Sequence, residues 1–138
     1  MSQSRRFVIQ VKQAITKQTE KILDEIVEDV AKAQVQNINN RLDKGIGIND
    51  KQMPELKKRY AQRKGKGNIR NLYNKGTMRG SIKVTPGRRK AIISFRSTKE
   101  KNKARYNEQR YKWWGISKKD NRVLIQVVNR LIKRLTKG

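Results

Sequence analysis

The chain has no cysteine and no histidine. Without thiols there are no disulfides and no thiolate metal ligands, and without imidazole the usual zinc ligand and the usual general base are missing. Nucleophilic triads and zinc hydrolysis would need unusual substitutes. No glycine-rich stretch ends in Gly-Lys-Ser/Thr, so there is no P-loop. Aromatics make up only 6% of residues, and neither they nor the glycines fit a familiar RNA-binding signature. No apolar run approaches the ~20 residues that span a bilayer, and Met1-Ser2-Gln3-Ser4-Arg5-Arg6 lacks the apolar core of a signal peptide. These absences predict a soluble protein made in a cytoplasm, with no membrane partner, no cofactor, no metal and no catalytic residues.

Acidic residues are scarce too, 11 against 36 Lys and Arg, giving a formal charge of +25. The imbalance is uneven: residues 1–43 hold seven Lys/Arg against six Asp/Glu, and residues 44–138 hold 29 against five. Such a field attracts polyanions, either nucleic acid or an acidic protein surface. With 138 residues and a hydrophobic fraction of 34%, the chain fits one domain with one modest core, and part of its buried surface is expected from a partner or from copies of itself.

Four segments are legible within residues 1–138. Residues 1–43 read as a long amphipathic helix, with apolar positions at Phe7, Val11, Ile15, Ile22, Ile26, Val30, Ala33 and Ile38. Phe7-Val8-Ile9 also allows an extended start. The helix holds the acidic cluster Glu20, Asp24, Glu25, Glu28 and Asp29, whose i, i+4 rows repel one another on an isolated helix. A solvated face fits this cluster, and so does a contact with a basic surface of this or a neighbouring subunit. All five are subunit-interface candidates.

Residues 44–80 read as a basic loop and short helix: glycines at 45 and 47 make a turn, and Pro54 stands near the first turn of a helix with Leu56 and Tyr60 inward. Lys57, Lys58, Arg59, Arg63, Lys64, Lys66 and Arg70 then form a phosphate-reading or acid-reading segment that neutralises backbone without fixing a base. A solvated charged loop fits the same residues. Asp50 with Glu55-Leu56-Lys57 echoes the Asp…Glu-x-Lys of metal-dependent nucleases, but the interval is too short and Pro54 heads a helix rather than a strand.

Residues 81–116 read as a small sheet with a polar insertion. Ser81 to Thr85 alternates, Pro86-Gly87 opens a turn, Ala91 to Ser97 is β-rich, and Arg88, Arg89 and Lys90 cap the hairpin as further polyanion-contact candidates. Thr98 to Arg110 is almost wholly polar and reads as a flexible connection, with a strand around Arg105-Tyr106-Asn107. Residues 117–136 form the C-terminal helix. Ser117 and Asp120 make a capping-box-like start, and Val123, Leu124, Val127, Val128, Leu131 and Leu135 give it an apolar face. The predicted fold is α+β, with the long N-terminal helix and the C-terminal amphipathic helix packed on a small, mainly antiparallel sheet.

With these pieces in order, the chain resembles the phage virion morphogenesis family typified by phage Mu, and the related tail-completion or neck proteins. Pro54-Glu55-Leu56-Lys57-Lys58-Arg59-Tyr60-Ala61-Gln62-Arg63-Lys64 is similar to the family's Pro-Leu-Ser-x-x-Tyr-Ala-x-Arg-Lys. Leu72 to Ile82 is similar to its Leu-x-x-Thr-Gly-x-Leu-x-x-Ser, with Lys75 in place of threonine, and Tyr111-Lys112-Trp113-Trp114-Gly115-Ile116-Ser117 is similar to its Pro-x-Arg-Pro-Phe-Leu-Gly-Leu-Ser. Glu108-Gln109 lacks the family's histidine and following glycine, and Lys112 stands where proline is usual. The resemblance implies a non-enzymatic virion protein forming a homo-oligomeric ring at the head–tail junction, beside connector or tail proteins and packaged DNA. It also places the tryptophans between sheet and last helix. Trp114, with Val123, Leu124, Val127 and Leu131, is then expected as core anchor and Trp113 as a contact to a neighbouring subunit. The contrasting reading from charge alone is a free, basic nucleic-acid-binding protein of ribosome-like or nucleoid-like type.

Overall fold

A computed structural model describes residues 7–10, 17–57, 70–72 and 77–136. The chain folds as α+β. Its elements run β1 (Phe7–Gln10), α1 (Lys17–Asp43), α2 (Thr77–Gly80), β2 (Ile82–Gly87), β3 (Lys90–Phe95), α3 (Thr98–Tyr111) and α4 (Lys118–Thr136). The extended start of the N-terminal segment is a true strand. β1 pairs antiparallel with β3, Phe7 opposite Ile93, and β3 pairs antiparallel with β2, giving the sheet order β1-β3-β2.

Strand alternation decides the faces of this sheet. Ala91, Ile93 and Phe95 of β3 are buried together with Ile82 of β2, while Ile92 and Ser94 turn the other way. The buried side packs on α1 through Val27, Ala31, Ile38 and Leu42. A neighbouring stripe of α1, Ile26 and Val30, meets Leu124, Val127 and Leu131 of α4, with Ile9 of β1 at the seam. The long helix is therefore a wedge between sheet and last helix, and α4 packs mainly on α1, touching the sheet at Ile9. One correction follows along α4: Val123 is 41% exposed, because it lies a full 100° turn from Leu124 and falls on the flank of the buried stripe.

A larger correction concerns residues 98–111, which form a helix and not a flexible connection with a strand. Ser97 is its N-cap, with the side-chain oxygen accepting from the Glu100 N–H at 3.2 Å. Lys112 ends it in the left-handed region at φ 47°, its N–H donating to the Glu108 carbonyl. Ala104 is the buried contact of α3, so the helix rests on its caps and one narrow stripe. Residues 53–57 hold no regular structure although Met53 and Leu56 are buried. The short helix predicted to start around Pro54 is therefore not formed over residues 54–57, and the rest of it, with Tyr60, falls outside the described residues.

Candidate functional site

The stretch from Lys112 to Ser117 is held from every side. Glu108, one turn from the end of α3, accepts from the N–H groups of Trp113 and Trp114 through a single carboxylate oxygen, at 2.8 and 2.7 Å. The carbonyls of the same stretch meet other elements. Ile48 N–H donates to Lys112 O at 2.8 Å, Arg41 Nη1 to Trp113 O at 3.2 Å, and Gln34 Nε2 to Gly115 O at 2.9 Å. Gly47 allows this close approach, since a Cβ there would stand 3.2 Å from Lys112 O. Gly115 at φ 127° then turns the chain into α4.

Both indoles point inward. Trp113 is fully buried and Trp114 is 7% exposed, and together with Phe95 they form an aromatic cluster, Trp113 edge-on to Trp114 at 5.3 Å and Phe95 tilted over Trp114 at 4.8 Å. Trp113 is thus the deeper core anchor, and its assignment to a neighbouring subunit is corrected. The turn at Gly115 releases adjacent residues from the up-and-down alternation of a strand, so both side chains reach the same core.

Beneath the tryptophans lies a buried polar network. Arg41 Nε sits 2.9 Å from Asp120 Oδ2, with the two side chains 7% and 4% exposed. Gln34 donates to the same oxygen at 3.0 Å, and Asn37 donates to Gln34 at 3.1 Å. Ser117 and Asp120 cap α4 reciprocally: the Asp120 carboxylate accepts the Ser117 N–H at 3.1 Å and Ser117 Oγ accepts the Asp120 N–H at 3.0 Å. One carboxylate thus caps α4 and pairs with α1, which fixes the angle between the two helices. Asp50 adds a second acid at that helix start, accepting the Lys119 N–H at 3.1 Å. Desolvation works against its charged form, but hydrogen bonds from Ser117 and Lys119 and the nearby charges of Arg41 and Lys119 hold its carboxyl below the usual carboxylate range.

The predicted acidic interface is engaged, in part, within the chain. Glu20 pairs with Arg88 at 2.7 Å and lies 4.0 Å from Arg89, and the Asp24 carboxylate accepts the Arg89 N–H. Arg89 occupies the left-handed region at φ 56°, so α1 grips a hairpin tip whose conformation disfavours an L side chain. Glu20 also holds the Arg88 guanidinium more firmly protonated than usual. Arg88 and Arg89 are therefore contacts to an acidic face of this same chain. Asp29 approaches Arg134 at 4.0 Å, Glu28 pairs with Lys32, and Glu25 and Lys90 stay exposed.

Arg70 also departs from its predicted role. Its guanidinium donates to the Pro54 and Glu55 carbonyls and stacks 4.0 Å from the centre of the Tyr111 ring, strapping two loops together. Lys57 is exposed, and Lys58, Arg59, Arg63, Lys64 and Lys66 lie outside the described residues. The nuclease-like pattern does not form a site, since Asp50 is committed to the start of α4 while Glu55 is exposed. Among the described residues no three acidic side chains group as a metal site, and no described helix is long and apolar enough to cross a membrane.

No family model, curated protein or solved structure matches the chain. At the third resembling segment the geometry also diverges from the family's motif: proline, fixed near φ −65°, does not fit the φ of 47° at Lys112. Glu108 stands where the family has histidine, and it is the residue that staples the tryptophans.

Proposed function

We propose that this protein is a structural, non-enzymatic subunit of a tailed-phage virion, a neck or tail-completion protein that joins copies of itself in a ring at the head–tail junction. It is made in the host cytoplasm, needs no cofactor, and contacts connector or tail proteins or the packaged DNA. One observation carries the choice of a polyanionic neighbour. Glu25 and Glu55 apart, every acidic residue holds a cation or a backbone N–H of its own chain, as Asp43 does with Arg79 at 2.7 Å and Glu100 with Lys103 at 3.3 Å. The positive surplus is thereby left for an external partner. Placement at a neck rests on the order of the three resembling segments, two of which contribute Met78, Ile82, Trp113 and Trp114 to a single core.

The same charge favours a second reading, a free nucleic-acid-binding protein. Electron microscopy and sedimentation of the purified protein, combined with a gel shift over a salt series, separate the two. Closed rings and weak, steeply salt-dependent DNA binding are expected. A persistent monomer that selects one nucleic-acid structure with nanomolar affinity at physiological salt would overturn the neck assignment in favour of the second reading.

A further inference from the structure

The outward face of the sheet holds a groove of about 420 Å³. Alternation builds it: with Ile82, Ile93 and Phe95 directed to the core, Lys83 and Thr85 of β2 and Ser94 of β3 face away from it. The register sets Lys83 directly opposite Ser94. The turn from β3 into α3 closes one end and adds Arg96 and Thr98, and the first turn of α3 adds Lys101. No carboxylate lines the groove. Among the described residues neither Lys83, Arg96 nor Lys101 takes part in an ion pair, in contrast to Arg88 at the hairpin tip.

We propose that this groove binds the phosphate backbone of nucleic acid. The proposal rests on the polyanion-facing part of the proposed function and gives that part a location. Three cations beside the four hydroxyls of Thr85, Ser94, Ser97 and Thr98 are the side-chain types that contact phosphate and sugar without reading sequence. The aromatic residue of the lining, Phe95, is 7% exposed and offers no face for base stacking. The groove also has no tryptophan or tyrosine to anchor a protein partner. Binding is therefore electrostatic, indifferent to sequence and steep in salt.

The test compares two triple variants that remove the same charge. Lys83→Ala/Arg96→Ala/Lys101→Ala empties the groove, and Arg122→Ala/Arg130→Ala/Lys133→Ala strips the exposed face of α4. Binding of a fluorescent mixed-sequence DNA duplex is followed from low to physiological salt, with thermal melting of each variant as a check on folding. The groove variant is expected to lose about 2 to 3 from the slope of log K against log salt, and on the order of tenfold or more in affinity at physiological salt. The α4 variant should lose clearly less. Equal losses in the two folded variants overturn the groove and leave the polyanion-facing role standing. An absence of salt-dependent DNA binding in the unaltered protein overturns both.

Discussion

Arg41 with Asp120 and Arg88 with Glu20 are both guanidinium–carboxylate pairs, 2.9 and 2.7 Å apart. The first is sealed between α1 and α4 with its partners under 8% exposed, and the second joins α1 to a hairpin tip where Arg88 is 73% exposed. Similar chemistry has different consequences in the two places. At the buried junction each charge has been taken out of water, so its partner and hydrogen bonds fix one arrangement, and removing either member leaves a stranded ion. At the tip, water and salt compete for both groups, and the pair biases a position the hairpin already holds through its strands.

The contrast can be broken most forcefully at the junction. Asp120→Ala strands Arg41, uncaps α4 and releases Gln34. It should cost about 3–5 kcal/mol, and a melting temperature lowered by on the order of 10 °C would be seen by circular dichroism. A loss below about 1 kcal/mol, the range of exposed pairs, would show that the junction behaves like the tip. Next in size, Glu108→Ala leaves the Trp113 and Trp114 N–H groups without their acceptor and should cost about 1–3 kcal/mol, measured by urea unfolding. Arg88→Ala should lower the melting temperature slightly at low salt and not measurably at high salt. A salt-independent loss there would mean that the tip pair is shielded from solvent.

The smallest effect is in acid. Asp50 has its folded-state pKa held below its ordinary, unfolded value. Its stabilisation is therefore complete above that value and is lost as pH falls through the lowered folded one. Asp50→Asn should flatten the acid limb of the stability–pH curve, leaving the neutral region with only a constant offset. An unchanged acid limb would remove Asp50 from the junction's electrostatics.

Local signals made half of this molecule readable. The hairpin is written in alternation, and the start of α4 in Ser117 and Asp120, which bond reciprocally as their spacing indicates. Helix α3 was concealed because it needs little apolar contact, Ala104 being its buried residue. Its signature is nevertheless present in Ser97-Thr98-Lys99-Glu100, the Ser-x-x-Glu pattern of a capping box, of which the Ser97 half forms. The Arg41–Asp120 pair had no local signature, since its members stand 79 residues apart and neither looks unlike a surface charge. The roles of Trp113 and Trp114 depend on the turn at Gly115 and the reach of Glu108, which are tertiary facts. Of the polyanion candidates, Arg88, Arg89 and Arg70 proved to be bound within the chain, while the groove residues Lys83, Arg96 and Lys101 carried no motif that would single them out.

The stapled tryptophan segment is the element on which the rest of the architecture depends, and acrylamide quenching of tryptophan fluorescence probes it directly. In the single-tryptophan variants Trp113→Phe and Trp114→Phe, the remaining indole should emit at short wavelength and resist quenching until the protein unfolds in urea. If either indole in the folded protein is quenched as readily as free tryptophan, the segment is not closed into the core, and the junction described here is wrong.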